Sequence, residues 1–250
     1  MNKSEIINSI FFPRKSPNKV DDKDLLVPVS SKEKVGVRLF LADKTFPTVI
    51  YFHANAEIAQ EYDAISSYYH EHKMNLIVCG YRGYGLSDGE PSKDNLLNDS
   101  PRIFDFINDH LVTNKFSNKL IIMGRSLGSA AVCEIISKHD DKIDGAIIES
   151  GFATEYPLLK LFNLDPDKID YKLEDGFMNL AKIKAYKKPL YVIHSDLDEI
   201  VPFSQADIIM LESGSVKKDI FKVNGAGHNN VIMIAREHYF VNIKSFIDSI

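Results

Sequence analysis

Cysteine is scarce, with only Cys79 and Cys133 in 250 residues, and this excludes a disulfide-stapled scaffold. Cys79 ends the apolar run Asn75-Leu76-Ile77-Val78-Cys79 and Cys133 falls in a predicted helix, so both read as small buried hydrophobes in a reducing compartment. Positive charge is not in excess either: 30 Lys and Arg stand against 35 Asp and Glu, a formal charge of −5. That balance argues against nucleic acid as a partner, because a phosphate backbone rewards a basic face. No dense Lys/Arg run marks a polybasic membrane contact, and no apolar stretch is long enough to span a bilayer. The N-terminal MNKSEIINSIFFP has one apolar patch, Ile10-Phe11-Phe12, which Glu5, Asn8, Ser9 and Pro13 keep short, and no small-residue cleavage site follows. The expectation is a cytoplasmic protein without a membrane span. No His/Cys/carboxylate cluster has metal-ligand spacing. The glycine-rich stretch Gly80–Gly89 lacks both the Lys-Ser/Thr ending of a P-loop and the full G-x-G-x-x-G fingerprint. No metal, nucleotide or other cofactor is therefore expected, and that stretch reads as a tight loop shaping a pocket rim. Repeats, low-complexity tracts and interdomain linkers are missing too. With 44% hydrophobic residues, residues 1–250 read as a single domain with a substantial core.

What is present is alternation. Short runs apolar on every residue, Thr48–Phe52, Leu76–Cys79, Leu120–Met123, Ala146–Ile148 and Leu190–Ile193, suit strands buried on both faces of a helix-covered parallel sheet. A further run, Asp219–Val223, alternates more. Helical patterns separate the runs, near Ile58–Glu71, Lys93–Leu111, Leu127–Lys138, Ser204–Glu212 and Val231–Ile250. This is the rhythm of an α/β fold with a mostly parallel, doubly wound sheet. Leu25–Val29 and Val35–Leu41 have no helix between them and read as a leading antiparallel pair. Pro101 is expected to kink or split its helix. The stretch from Gly151 to Pro189, longer than one crossover needs and rich in Phe, Tyr and Leu, reads as a small helical cap over about 151–189.

The strongest chemical signal is Gly124-Arg125-Ser126-Leu127-Gly128, a G-x-S-x-G pattern. Alone the pattern is weak, and a solvated serine turn would satisfy it. Here it follows a strand directly and opens a helix of small residues, Ser129-Ala130-Ala131, as a nucleophile elbow requires. Its glycines allow neighbouring backbones to approach closely. Ser126 is thus the candidate nucleophile, raised at the positive end of a helix.

An alcohol needs a base, and the base an orienting acid, in chain order Ser, acid, His on this kind of sheet. His228 sits in the glycine-rich loop Asn224–Asn230 after the last strand and is the candidate base. His139 and His238 fall at or within helices and read as surface groups, and His194 as a packing residue near the site. The acid should follow Leu190–Ile193, where Asp196, Asp198 and Glu199 compete; any of them is equally a turn carboxylate accepting backbone N–H bonds. The oxyanion donors should be the backbone N–H of Leu127 and one from the loop His53–Glu57, with Asn55 the choice and Ala54 next.

With these residues in view, the chain resembles the BEM46-like (ABHD-like) group of α/β-hydrolases. The segments that match are YFHANAE at Tyr51–Glu57, YRGYGLSDGEPS at Tyr81–Ser92, GRSLGS at Gly124–Ser129, IESGF at Ile148–Phe152, HSDLDEIVPF at His194–Phe203 and GAGHNN at Gly225–Asn230. The resemblance implies the α/β-hydrolase fold and a catalytic triad of Ser126, Asp198 and His228, since the H-G-x-x-D-x-x-V-P pattern of that group puts its acid at Asp198. Ala54, Gly80 and Ser195 depart from the group's usual Gly, Asp and Gly, and none of them touches the triad.

The implied activity is hydrolysis of a carboxylic ester or thioester through an acyl-serine intermediate, with a rate that rises with pH as the imidazole of His228 loses its proton. The alternatives are a serine peptidase or amidase on the same triad, and a non-catalytic relative that keeps the pocket for binding. The expected partner is a small-molecule ester, thioester or amide substrate. Five acidic residues against two lysines within Asp165–Asp175 read either as a bar to strongly anionic substrates or as a solvated face.

Overall fold

A computed structural model describes residues 3–116 and 118–250. The chain opens with a short helix, α1 (Lys3–Asn8), followed by strands β1 (Asp24–Pro28), β2 (Lys34–Phe40) and β3 (Thr48–Phe52). A 3-10 turn at Ala59–Tyr62 leads into α2 (Asp63–Glu71), then β4 (Asn75–Cys79), α3 (Lys93–Thr113), β5 (Leu120–Arg125) and α4 (Gly128–Lys138). After β6 (Gly145–Glu149) come α5 (Tyr156–Leu161) and α6 (Asn179–Ala185), both within the segment expected to be a cap. The chain ends with β7 (Leu190–Ser195), α7 (Ser204–Glu212), β8 (Lys218–Val223), α8 (Val231–Ala235) and α9 (Glu237–Ser249).

The strands form one eight-stranded sheet in the order β1-β2-β4-β3-β5-β6-β7-β8. β1 pairs antiparallel with β2 and β2 antiparallel with β4, while every pair from β4 to β8 is parallel. This is the expected mostly parallel sheet with its leading antiparallel pair. The apolar runs behave as the all-apolar pattern requires, with every residue of β3, β4 and β6 buried. Successive side chains point to opposite faces. Ile50, Phe52, Ile77, Ile122 and Ile148 join one core with residues of α3, α4 and α6, whereas Val49, Tyr51, Val78, Met123 and Ile147 join a second core with Tyr69, Tyr239, Phe240 and Ile243. Cys79 and Cys133 are free and fully buried. Among the described residues no helix is long and apolar enough to cross a membrane.

Two helices differ from expectation. α3 runs unbroken through Pro101, which is itself buried. An interior proline costs about 3 kcal/mol, but this helix buries Leu96, Ile103, Phe104, Ile107 and Leu111, each contributing roughly 1.5–3 kcal/mol, so packing prevails. The C-terminal pattern instead splits at Arg236, whose φ of 52° takes it out of the helical region. Arg236 N–H donates to Ile232 O at 2.7 Å, closing α8 before α9 starts.

The sheet order also locates the site. β3 connects to β4 on one side, and its neighbour on the other side is β5. Connections diverge at this point, so a crevice opens at the carboxyl ends of β3 and β5. The loop His53–Glu57 and the turn at Ser126 lie there.

Candidate active site

Ser126 sits directly after β5 with φ 52°, a left-handed conformation that costs a non-glycine residue about 1–3 kcal/mol. Its backbone is pinned: Ser126 N–H donates to Glu149 O at 2.9 Å, and Ser129 N–H donates back to Ser126 O at 3.0 Å. The turn also needs its glycines. A Cβ on Gly128 would lie 2.0 Å from the carbonyl oxygen of Phe52, and one on Gly124 would lie 2.3 Å from that of Gly128. Both obstacles are backbone. Gly128→Ala is therefore expected to push α4 off the end of β3, lowering the melting temperature and the turnover together, which a melting curve and an ester assay on the same sample will read. A variant that melts and turns over like the wild type would contradict the close approach.

The structure brings Ser126, His228 and Asp198 together. His228 Nε2 lies 3.0 Å from Ser126 Oγ, and His228 Nδ1 lies 2.9 and 2.8 Å from the two carboxylate oxygens of Asp198. All three residues are buried. Asp198 Oδ1 also accepts N–H bonds from Ile200 at 3.0 Å and Val201 at 2.7 Å. Burial raises the Asp198 pKa, but the hydrogen bond and charge of His228 and the Val201 N–H more than offset it, so the carboxyl is held below its usual range. Asp196 faces elsewhere, accepting the Gly225 N–H at 2.7 Å. Ser195 Oγ donates to Gly227 O at 3.1 Å, and His228 N–H donates to Glu199 at 3.0 Å. The acid loop and the histidine loop are thus laced together, and the role of Asp196 is in the lacing.

The remaining histidines sort as follows. His194 is fully buried beside Asp198, with Nε2 2.8 Å from Val201 O, and burial lowers its pKa. A neutral ring donating from Nε2 fits that position. His139 is not the surface group expected, being half-buried and stacked on Phe104, while His238 is exposed.

Ser126 and His228 open into a cavity of about 340 Å³. Leu127 and Asn55 also line it, and among the described residues neither backbone N–H is taken by an acceptor. The Ala54 N–H, by contrast, donates to Glu57 Oε2 at 2.9 Å. The apolar wall comes from Ile10, Phe12, Leu158, Leu161, Phe162 and Ile200. Part of the expected cap segment therefore faces the cavity, but so does the N-terminal patch, for which no role was foreseen. Asn55 joins the two. Its side-chain oxygen accepts from Phe12 N–H at 2.9 Å and Tyr84 Oη–H at 2.6 Å, and its amide donates to Ile10 O at 2.5 Å. Phe12 then stacks on Phe162 with centroids 6.0 Å apart.

Two sequence expectations shift in consequence. No residue of Gly80–Gly89 lines the cavity; the stretch backs the His53–Glu57 loop instead, with Tyr81 Oη–H donating to His53 O at 2.6 Å and Tyr84 to Asn55. The acidic stretch Asp165–Asp175 contributes nothing to the cavity wall. Asp175 pairs with Lys3 at 2.8 Å.

Sequence reasoning also passed over Arg125. Its guanidinium is buried, donating to His228 O at 2.6 Å and Asn229 Oδ1 at 3.1 Å, and pairing with Glu57. Its Nε lies 3.6 Å from Glu149 Oε1. Burial disfavours the charge, but Glu57 and Glu149 more than compensate, so the pKa of Arg125 is raised. The available signal was a lone cation at the end of an otherwise apolar strand.

Sheet order, a strained serine between strand and helix and a cavity at the switch point define an α/β hydrolase. The profile of a family described as serine aminopeptidase, S33 matches residues 43–163. Protein bem46 of Schizosaccharomyces pombe is 27% identical over 229 residues, 88% of this chain and 75% of that protein. An uncharacterised membrane protein of Saccharomyces cerevisiae is 32% identical over 192 residues, 73% of this chain, and the α/β hydrolase domain-containing protein aho-3 of Caenorhabditis elegans is 28% identical over 203 residues, 80% of this chain. The chain spans only 64% and 57% of those two proteins. Among solved structures, the Pyrococcus furiosus esterase Pf2001 has the same fold at a TM-score of 0.76 and 16% identity, over 95% of this chain and 98% of that one. The chain has the α/β-hydrolase fold and is similar in sequence to the BEM46/ABHD-like proteins.

Proposed function

We propose that the protein is a serine hydrolase cleaving a carboxylic ester or thioester through an acyl-Ser126 intermediate. The observation that carries this reading is the unbroken chain Ser126 Oγ, His228 Nε2, His228 Nδ1, Asp198, with contacts of 3.0 and 2.8 Å. In the reaction His228 takes the hydroxyl proton as Ser126 Oγ attacks the carbonyl carbon. Asp198 accepts the Nδ1–H, which fixes the tautomer and stabilises the imidazolium. The oxyanion is received by the N–H groups of Leu127 and Asn55, and losing one such donor typically costs about 2.7–4 kcal/mol in the barrier. The imidazolium then protonates the leaving alcohol or thiol, and water, activated by the same ring, releases the acid.

The family match, with its aminopeptidase description, favours amide cleavage as a second reading. An aminopeptidase has to hold an α-ammonium group, which asks for a carboxylate near the nucleophile. Among the described residues none lines the Ser126 cavity, whose wall is largely apolar. An uncharged acyl group fits that wall better, and the ester or thioester reading is preferred.

The test is turnover of p-nitrophenyl esters of increasing acyl length. Wild type is expected to be active with a defined best length, and Phe12→Ala to move that optimum to longer chains while leaving the acetate rate within a few-fold, since Phe12 forms wall and no reacting group. An unchanged length profile would remove the N-terminal patch from the acyl site. A protein inert to every ester yet active on amides would move the reading to the amidase.

A further inference from the structure

We infer that Arg125 is a positioning residue for this reaction, its buried guanidinium fixing from one point both the loop that carries His228 and the loop that offers the oxyanion donors. The inference rests on the hydrolase reading of the Ser126 site.

Arg125 is the neighbour of Ser126, yet it does not line the Ser126 cavity. It lines the neighbouring cavity with Tyr51, Tyr62, Glu149 and Val231, and its guanidinium bonds the backbone of His228 rather than the imidazole. What it does have is a fork. One arm donates to His228 O at 2.6 Å and to Asn229 Oδ1 at 3.1 Å, gripping the histidine loop by its backbone and by the next side chain. The other arm pairs with Glu57 Oε1. The second oxygen of Glu57 accepts from Ala54 N–H at 2.9 Å and from Tyr62 Oη–H at 2.7 Å. The ion pair thereby takes up the Ala54 N–H and leaves that of Asn55 as the one in the loop facing the cavity. Glu149 completes the frame: its carbonyl accepts the Ser126 N–H at 2.9 Å, and its carboxylate lies 3.6 Å from Arg125 Nε. Base, nucleophile and oxyanion loop are all referred to one planar group. A lysine carries the charge but not the fork, so the requirement is geometric.

Removing the fork should let His228 and Asn55 drift without touching the apolar side chains of the substrate wall, none of which Arg125 contacts. Arg125→Met is expected to lower kcat by about a hundredfold, the scale of a misplacement near 1 Å, with KM little changed because no ground-state contact is lost. The phosphonylation rate of Ser126 by a fluorophosphonate should fall in parallel, as it depends on the same base and donors. Arg125→Lys should recover only part of the loss. Glu57→Gln should reproduce most of it, and the double variant should be scarcely worse than Arg125→Met, since the two act as a unit. Melting curves on each variant will verify that the folded enzyme is assayed, and should Arg125→Met unfold, Arg125→Lys and Glu57→Gln must still show a loss in kcat at constant KM. A folded variant with wild-type kcat, a loss carried by KM, or full additivity with Glu57→Gln would overturn the positioning role alone. A wild type inert to esters, amides and the fluorophosphonate would instead bring down the hydrolase reading, and this inference with it.

Discussion

Asp198→Asn is expected to lower kcat by about 10⁴-fold, the scale on which a serine hydrolase suffers from the wrong histidine tautomer, while Asp196→Asn stays within a few-fold of wild type. The asymmetry follows from what each carboxylate touches. Asp198 meets His228 Nδ1 at 2.8 Å while two backbone N–H groups hold its other side. An asparagine there keeps the shape but can turn an N–H₂ toward Nδ1, which places the ring proton on Nε2, where a base must have a lone pair. Those contacts hold the Asp198 carboxyl below its usual range, so it is ionised at neutral pH and available to accept the Nδ1–H. Asp196 accepts one N–H from Gly225, a bond an asparagine oxygen can also accept. Steady-state kinetics on both variants decides the matter: equal losses would mean that the lacing of the two loops, rather than the tautomer, is what Asp198 supplies.

The sheet was legible because strands buried on both faces leave a mark that needs no context: the runs Val49–Phe52 and Leu76–Cys79 are hydrophobic at every position, and all of them are buried. The serine turn was legible for a similar reason, since its glycines are required by backbone contacts of 2.0 and 2.3 Å at that place. The choice between Asp196 and Asp198 was not open to local reading. Both follow β7, both accept backbone N–H bonds, and only their distance from a loop some thirty residues on separates them. Pro101 misled because local propensity is a small term beside a buried helix face. The N-terminal wall and the Arg125 fork were illegible for a deeper reason. Ile10 and Phe12 reach Asn55 across 45 and 43 residues, and Arg125 reaches His228 across 103. Periodicity carries no information about such pairings, so the residues that hold the site in place are harder to read than the residues that define it.

Ser126→Ala is expected to remove about six orders of magnitude from kcat, the scale of nucleophile loss in a serine hydrolase, and to abolish labelling by a fluorophosphonate. Peptide mass mapping of the wild-type adduct should find the label on Ser126. Label on Ser129 instead would move the nucleophile, although that hydroxyl is buried and donates to Ser126 O at 2.7 Å, which leaves it aimed away from an acyl group. Stability provides an independent check on the elbow. At φ 52° alanine remains in the conformation that penalises a Cβ, by about 1–2 kcal/mol, so Ser126→Ala should keep the strain of the wild type. Ser126→Gly releases it, against a glycine entropy cost of about 0.4–1 kcal/mol. The glycine variant should therefore be as inert as the alanine variant and yet melt higher. If it melts lower, the positive φ is not strained in the folded protein, and the serine is held there by its hydrogen bonds to Glu149 and Ser129 rather than against a conformational penalty.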